Sequence, residues 1–591
     1  MKDGNDPMAA TRVTGALYMA RCLKAEGVSK VFGQCGHTNY ALIDACRLLD
    51  IEYVSFRHEQ QAVHAADAYA RVSGKLAVIN VHLSPGLTNA LTGVATAAAD
   101  GTAMVVISGN TPAYHNPREA HQSMRLHADA SQGDIFRPIC KRVWRVDDGK
   151  FLPEVMHRAI TLATSGRPGA VLVDVPMDVF SHIVDAAPYR DRRPGFTRPV
   201  GDRGGIARAI DLLRSASRPV VFAGNGVNLS DATDELFTLV DLLQVPLATT
   251  LMGKGMFPET HALSVGTTGI WGTRAANETT RNADVVLAIG TAFGEADCSS
   301  WRREYTFDFP RTKLIQIDID PTEIGKSYAV DVGIVGDAKA TLAAMIEALR
   351  AGPSRPEATV REQLAEVAVR KSDWLDELVA SQHDTGKPIH PARLLRQISE
   401  AAPDDAIYVT DVGWNKNGAG QQLQVKRPRS FITSGGMATM GFSPAAAIGA
   451  KMGAPERTVI GLVGDGGLTS VLGALATSVE LNVPVVWVLF NNFCFSTIRT
   501  VGATYFGQTY GTEFERPDGQ PYNPDFMLLA KAFGIASRLV TEPDELDVAL
   551  RESFAETRPF LLEVRTRGDL PMPRTGFWDI AEFLEGGNAV D

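Results

Sequence analysis

The sequence predicts an α/β protein built from three doubly wound parallel-sheet domains, and three observations carry that expectation. Short apolar runs bounded by Gly, Pro or Asp recur along the chain, as in LAVINVHLSPG (76–86), AMVVISGN (103–110), GAVLVDVP (169–176), PVVFAGNG (219–226) and DVVLAIG (284–290). Runs this short and uniformly apolar read as strands buried on both faces of a parallel sheet, with the amphipathic stretches between them as crossover helices. Two stretches break the alternation: DAAPYRDRRPGFTRPVGDRGG (185–205) and a Pro- and charge-rich segment near 352–388. Both are expected as surface linkers, the second with helical turns in VREQLAEVAVRKSDWLDELV. Finally, 591 residues with 45% hydrophobic content can bury several cores at about 100–200 residues per domain.

These breaks place the domains at 10–183, 205–351 and 389–565, followed by a tail at 566–591. No tandem repeat is visible, so solenoid architectures drop out. The net charge of −10 comes without a Lys/Arg run, which argues against a nucleic-acid partner and for small-molecule ligands. The six cysteines (22, 35, 46, 140, 298, 494) form no CxxC pair or metal-finger spacing and are expected as buried packing thiols in a reducing compartment. The start MKDGNDPMAATRVTG has no apolar signal region, and no apolar run approaches the roughly 18 residues of a membrane span. No membrane partner is expected, and the cytoplasm is the expected location.

In the third domain two neighbouring apolar runs end on oxygen-bearing side chains: GLVGDGGLTS (461–470) at Asp465, and VVWVLFNN (485–492) at Asn492. In doubly wound sheets ligands sit outside the carboxyl ends of the strands, where helix N-termini point their N–H groups. A dinucleotide would be repelled by Asp465, and the chain has neither GxGxxG nor GxxxxGK[ST]. The carboxylate makes sense with a divalent cation between it and a phosphate. Mg²⁺ takes about six oxygens, shared among side chains, water and substrate phosphate. Asp465, Asn492 and the backbone carbonyl of Cys494 would supply three. Taken alone, a GDG corner reads more readily as a turn Asp with a capping Asn at the end of the next strand.

The GDG…NN pair resembles the diphosphate and metal motif of thiamine diphosphate enzymes. FITSGGMATMGFSPAAAIGAK (431–451) resembles the pyrimidine-binding stretch of their acetolactate synthase branch. VSFRHEQQAVHAADAYARVSGKLAV (54–78), SPGLTNALTGVATAAADGTAMVVISG (84–109), IDIDPTEIGK (317–326) and VTDVGWN (409–415) are similar to the same branch in the same order, so the likeness runs from about 12 to 565. It implies an N-terminal pyrimidine-binding domain, a central domain and a C-terminal diphosphate-binding domain.

The resemblance also assigns roles. Glu59 of RHEQ would bond the far pyrimidine nitrogen and so make the cofactor's own 4′-amino group basic, whereas alone it would read as a solvated helix charge. Met440 would wedge the bent cofactor, and the Ala438 carbonyl would accept from its amino group, at a position where relatives often carry Gly. Gly413, Trp414 and Asn415 match the loop on the other side of the diphosphate, and Gly464, Gly466 and Gly467 flank the metal aspartate. In the central domain GNGVN, MGKGMF, GTTGIWGT and IDID resemble the surface that holds FAD in acetolactate synthases and ADP or coenzyme A in acyl-CoA lyases; decarboxylases keep the shape empty. Asp318 and Asp320 could hold a ribose hydroxyl there or simply close a turn.

Two residues depart from the synthase pattern. His37 of GQCGHTNY and His82 of NVHLSPG stand where small or hydroxyl residues are usual, and active-site histidines occur at the matching place in the benzoylformate decarboxylase branch and cyclohexane-1,2-dione hydrolase. Gln122 of AHQ matches a glutamine that approaches the cofactor. Glu59, His82, His37 and Gln122 are thus the expected catalytic set, with His82 titrating near neutrality. The implied reaction is decarboxylation of a 2-keto acid and transfer of the acyl group to a second carbonyl. The alternatives are a lyase or ring-opening hydrolase of 1,2-diones or 2-hydroxyacyl-CoA, a simple 2-keto acid decarboxylase, or a binding paralogue without catalysis, against which intact Glu59, Asp465 and Asn492 argue. The family pattern also implies a homodimer or homotetramer with active sites at the subunit interface.

Overall fold

The computed structural model describes residues 8, 10–115, 118, 120–124, 131–185, 189 and 197–579. Much of the expected linker at 185–205 and the end of the tail from 580 lie outside the described residues. Three six-stranded sheets, each parallel throughout, carry the architecture. The chain folds into two compact units. One holds Met1–Phe196 with Ser434–Glu456 and Ser470–Val485; the other holds Thr197–Thr433, Arg457–Thr469 and Val486–Asp591.

In the first unit β1 (Arg12–Thr14) pairs antiparallel with β8 (Ile183–Asp185), outside the main sheet. That sheet contains β2 (Lys30–Gly33), β3 (Glu52–Ser55), β4 (Ala77–His82), β5 (Met104–Asn110), β6 (Arg142–Arg145) and β7 (Ala170–Pro176). Its order is β3-β2-β4-β5-β7-β6. β5 and β7 are buried at every residue, as their unbroken apolar runs require. Connections leave β2 and β4 in opposite directions, so the crevice outside their carboxyl ends is the topological switch point where such sheets take ligands. Helix α1 (Glu59–Ser73) begins beside that crevice and helix α2 (Leu83–Ala99) begins directly after His82. The helix Phe442–Gly453 packs on α1 so closely that a Cβ on Gly449 would stand 1.7 Å from the Ala65 carbonyl oxygen.

The second unit holds the other two sheets. The central one runs β11-β10-β9-β12-β13-β14, from β9 (Pro219–Ala223), β10 (Leu247–Thr249), β11 (Ser264–Thr267), β12 (Val285–Ile289), β13 (Lys313–Asp318) and β14 (Val332–Val335). Its switch point, between β9 and β12, is closed by its own backbone: Gly226 N donates to the Gly290 carbonyl at 3.0 Å, and a Cβ on Gly224 would stand 2.3 Å from that same oxygen. The remaining sheet runs β16-β15-β17-β18-β20-β19, from β15 (Ile407–Thr410), β16 (Phe431–Thr433), β17 (Val459–Gly464), β18 (Val486–Asn491), β19 (Ala536–Val540) and β20 (Phe560–Arg565). Here the switch point lies between β15 and β17. Space is left around it, since nothing comes within 4 Å of where a Gly464 Cβ would sit.

The Pro- and charge-rich segment expected as a linker is mostly one long helix, α3 (Glu357–Gln382). Its apolar stripe is thin, since only Gln363, Val367, Trp374 and Leu378 are buried, which is why its sequence reads as a solvated connection. Five of the six cysteines are buried as expected, but Cys35 is exposed, because the loop after β2 turns it outward. Among the described residues no helix is long and apolar enough to cross a membrane.

Candidate active site

In the first unit the site is built at the mouths of β2 and β4. Glu59 is the first residue of α1, where the His58 ring caps the helix by accepting from Gln60 N, and it is only 5% exposed. The helix N-terminus favours a negative charge there. Its Oε2 accepts from Asn89 Nδ2 at 2.9 Å, and the Gln34 amide, turned so that its nitrogen faces the carboxylate, donates to Oε1 at 2.7 Å. A Cβ on Gly86 would come within 3.2 Å of Oε1, so glycine keeps the approach to the carboxylate narrow but open.

His82 ends β4 and leads into α2. Its Nδ1 faces Thr38, 2.8 Å from the hydroxyl and 3.4 Å from the backbone N–H, and its Nε2 lies 3.2 Å from Gln122 Oε1. A backbone N–H can only donate, so Nδ1 accepts, and this network assigns the proton to Nε2, aimed at Gln122. The exposed His37 meets the His82 ring edge-on, with centroids 4.5 Å apart. Gly36 lies so close that a Cβ would sit 2.1 Å from the imidazole. The four expected catalytic residues are therefore gathered at one crevice. Burial pushes the His82 pKa below its ordinary value, His37 pushes the same way, and the Gln122 bond and Glu59 oppose them. His82 is thus neutral at neutral pH, whereas its sequence position suggested a group titrating there.

Ala438 and Met440 are exposed on the segment ahead of the helix Phe442–Gly453. Ala438 has φ 48°, the left-handed region where a side chain costs roughly 1–2 kcal/mol, which is the reason glycine suits this position.

In the second unit Asp465 begins a short helix straight after β17 and is 2% exposed. Its Oδ1 accepts from Gly466 N at 2.9 Å, and its Oδ2 accepts from Phe493 N at 2.7 Å, Asn492 N at 3.1 Å and Asn523 Nδ2 at 2.8 Å. Burial pushes its pKa above the ordinary carboxylate value, by more than these bonds pull it down, so a nearby cation would favour the ionised form. Among the described residues no Lys or Arg pairs with this buried carboxylate. The charge is left for a cation to balance, and Asp465 and Asn492 offer oxygen ligands of the kind Mg²⁺ takes. Of the two strand-end asparagines only Asn492 lies at the loop, its Oδ1 accepting from Cys494 N at 3.2 Å. Asn491 is buried and donates to Glu563 Oε1 at 2.7 Å. The Cys494 thiol is buried with its pKa pushed up to about 12, chiefly by desolvation, so it stays protonated and only its backbone oxygen suits Mg²⁺.

Opposite, Gly413 has φ 100° and starts helix α4 (Trp414–Gln422). The Trp414 indole donates to the Leu570 carbonyl at 3.2 Å and Asn415 Nδ2 donates to the Leu462 carbonyl at 3.1 Å, so both side chains brace the helix. Lys416 N and Asn417 N donate to the Gly413 carbonyl at 3.0 and 2.9 Å, which leaves the Trp414 and Asn415 N–H groups at the helix start as donors suited to a phosphate oxygen. Thr497 Oγ1, 3.4 Å from where a Gly413 Cβ would sit, is buried and without a hydrogen-bond partner, a donor suited to a phosphate oxygen. The three glycines around Asp465 differ in purpose. A Cβ would meet the Phe495 ring at 2.8 Å on Gly466 and Asp411 Oδ1 at 2.8 Å on Gly467, so these two serve packing, while Gly464 alone faces open space.

Sequence reasoning missed Asn523, which binds Asp465 and the Asn491 Oδ1, as well as Gln34, Asn89 and Thr38. Asp318 and Asp320 close a turn: Asp318 Oδ1 accepts from Asp320 N, and Asp320 Oδ1 from Thr322 N.

Comparison with known proteins agrees with this geometry. The family models for the thiamine pyrophosphate enzyme match in three parts: the N-terminal TPP binding domain at residues 13–131, the central domain at 206–345 and the C-terminal TPP binding domain at 411–564. A probable acetolactate synthase large subunit of Methanocaldococcus jannaschii is 36% identical, covering 93% of this chain and 91% of the relative. The acetolactate synthase large subunit of Parasynechococcus marenigrum is 33% identical, covering 95% and 89%. The isozyme 3 large subunit of Escherichia coli is 32% identical, covering 92% and 93%. The chain belongs to the thiamine pyrophosphate enzymes, in their acetolactate synthase-like branch.

Proposed function

We propose that the protein decarboxylates a 2-keto acid and transfers the acyl group to a second carbonyl, using thiamine diphosphate and Mg²⁺. The cofactor, when bound, supplies an acidic thiazolium carbon and a sink for the electron pair released beside a carbonyl. Glu59 would hold a proton at the far pyrimidine nitrogen of the cofactor, and Asn89 and Gln34 fix the carboxyl's orientation. Asp465, Asn492 and the Cys494 carbonyl hold the metal, while the α4 N-terminus behind Gly413 takes phosphate charge. Neutral His82 offers its Nε2–H to a substrate oxygen, with Gln122 as its resting partner. The observation that carries the reading is the buried Glu59 carboxylate, held by neutral amides at a switch-point crevice. The test is turnover of 2-keto acids with thiamine diphosphate and Mg²⁺, assayed for carboligated product; wild type should form it and Glu59→Gln should not.

The His37–His82–Gln122 group favours a second reading, a lyase or ring-opening hydrolase of 1,2-diones or 2-hydroxyacyl-CoA, because water or a ring ketone needs such polar groups more than decarboxylation does. Turnover of a cyclic 1,2-dione exceeding that of any 2-keto acid would select it.

A homodimer or homotetramer with shared active sites belongs to this proposal. It is supported along α2, where Glu59 meets Gly86 and Asn89 while Thr439, next to Met440, meets Thr96. Seven residues of helix, about 10 Å, separate those contacts, so Glu59 and Met440 stand apart within one chain, in keeping with a shared site. The domain division at 10–183, 205–351 and 389–565 is kept as part of the same reading, as is a cytoplasmic location, which suits six unpaired thiols. FAD, ADP or coenzyme A in the central domain has less support. Its switch point is filled by backbone, and Thr575 and Gly576 of the tail donate to the Ile270 carbonyl within GTTGIWGT. Visible absorbance of the purified protein would decide for flavin.

A further inference from the structure

Away from the catalytic crevice, the far ends of α1 and α2 enclose a buried charge cluster. Arg71 on α1 donates from Nε to Asp67 Oδ1 at 2.9 Å, and from Nη2 to Asp67 Oδ2 at 2.7 Å and to Asp100 Oδ2 at 2.6 Å. The three side chains are 8% exposed or less. Asp100 directly follows α2 and does more than balance Arg71. Its Oδ1 accepts from Gly436 N at 2.7 Å and its Oδ2 from Gly435 N at 3.1 Å. Two consecutive N–H groups on one carboxylate fix both the distance and the rotation of a segment, and charge assistance makes such bonds strong. Nearby, the Thr96 and Thr439 hydroxyls are 2.8 Å apart, and a Cβ on Gly436 would stand 2.8 Å from Ala99 Cβ. The end of α2 therefore grips the segment on both sides of Ala438.

That grip matters because the segment has no core of its own. Gly436, Met437, Ala438 and Met440 are exposed, and Ala438 is held in a left-handed conformation that a free loop would leave. We propose that Asp100, held by Arg71, is a positioning residue that sets the Gly435–Met440 segment so that the Ala438 carbonyl and the Met440 side chain meet the pyrimidine half of the cofactor. This rests on the thiamine diphosphate reading above.

The test uses the full chain with saturating thiamine diphosphate and Mg²⁺, reading exchange of the thiazolium proton by quenched NMR, with cofactor retention and thermal midpoint alongside. Asp100→Asn removes the charge; Gly436→Ala adds only the methyl that Ala99 would repel, on an exposed loop. Both are expected to slow exchange about 10–100-fold, the scale of an ångström-sized misplacement. Gly436→Ala should keep the wild-type thermal midpoint, and Ala99→Gly added to it should restore most of the rate. An exchange rate for Gly436→Ala equal to wild type, or no recovery in the double variant, overturns the positioning role even if Asp100→Asn does not fold. A wild type that neither retains the cofactor nor exchanges its proton removes the cofactor reading itself, which is a distinct result.

Discussion

Thr38 and His82 meet through a hydroxyl 2.8 Å from Nδ1, and this contact fixes the His82 proton on Nε2, facing Gln122. Burial holds the pKa of that imidazole below its ordinary value. The active form is therefore the neutral ring, and the acidic limb of the pH–rate profile should lie below the ordinary histidine range. His82→Ala should remove that limb and lower turnover about 10²-fold, the usual size of a general acid–base effect, with cofactor retention unchanged. Thr38→Val should leave the ring in place but free the tautomer, giving a smaller loss. A limb that survives His82→Ala assigns the titration to another group.

The metal assignment is tested by removing its carboxylate. Asp465→Ala should lose thiamine diphosphate on dialysis, and a chelator should strip it from the wild type. Asn523→Ala removes one of the donors holding the Asp465 carboxylate and is expected to weaken Mg²⁺ retention without abolishing it. Stoichiometric cofactor in dialysed Asp465→Ala would contradict the assignment.

Buried His64 gives the stability a defined pH dependence. Its pKa is pushed down from 6.5 to about 3, mainly by desolvation, with Arg71 and His58 adding to the shift. The folded chain thus keeps His64 neutral while the unfolded chain takes up a proton below pH 6.5. The stability this contributes is complete above pH 6.5 and declines by up to about 1.4 kcal/mol per pH unit as pH falls toward 3. His64→Gln should give a flatter course of thermal midpoint against pH across that window. Parallel courses for the two proteins would show that other groups set the acid lability.

The proposal of active sites shared between subunits has a direct complementation test. Glu59→Gln and Asp465→Ala chains, each inactive, should recover part of the activity when their subunits exchange, because a mixed dimer forms one intact centre. Verified exchange without recovery would mean that each chain builds its own site.

What the sequence made legible was local. The apolar runs of β17 and β18 and the glycine corner at Asp465 are contiguous, so the switch-point site of the last sheet could be read from them. His82 ends β4 and His37 lies in the loop after β2, and both were found as departures from the synthase pattern. Contacts made across long separations were hidden: Asn523 reaches Asp465 through a loop whose sequence has no strand or helix period, and Asn89 reaches Glu59 from the next helix. Gly466 and Gly467 were expected as cofactor glycines, and the packing of Phe495 and Asp411 against them is a further requirement for glycine that the sequence did not show. The helix at 357–382 was legible only as helical turns within a linker, because its apolar stripe is thin and solvated helical faces and linkers share a composition.

The central claim is that Glu59 activates a bound thiamine diphosphate, and thiazolium proton exchange in Glu59→Gln measures it directly. Glutamine keeps the size and the contacts to Asn89 but cannot stabilise the protonated pyrimidine, so the variant should retain cofactor while exchange falls by about 10²–10⁴-fold. Cofactor retained with exchange less than about tenfold below wild type would contradict the account, because a positioned acid–base group contributes more than that.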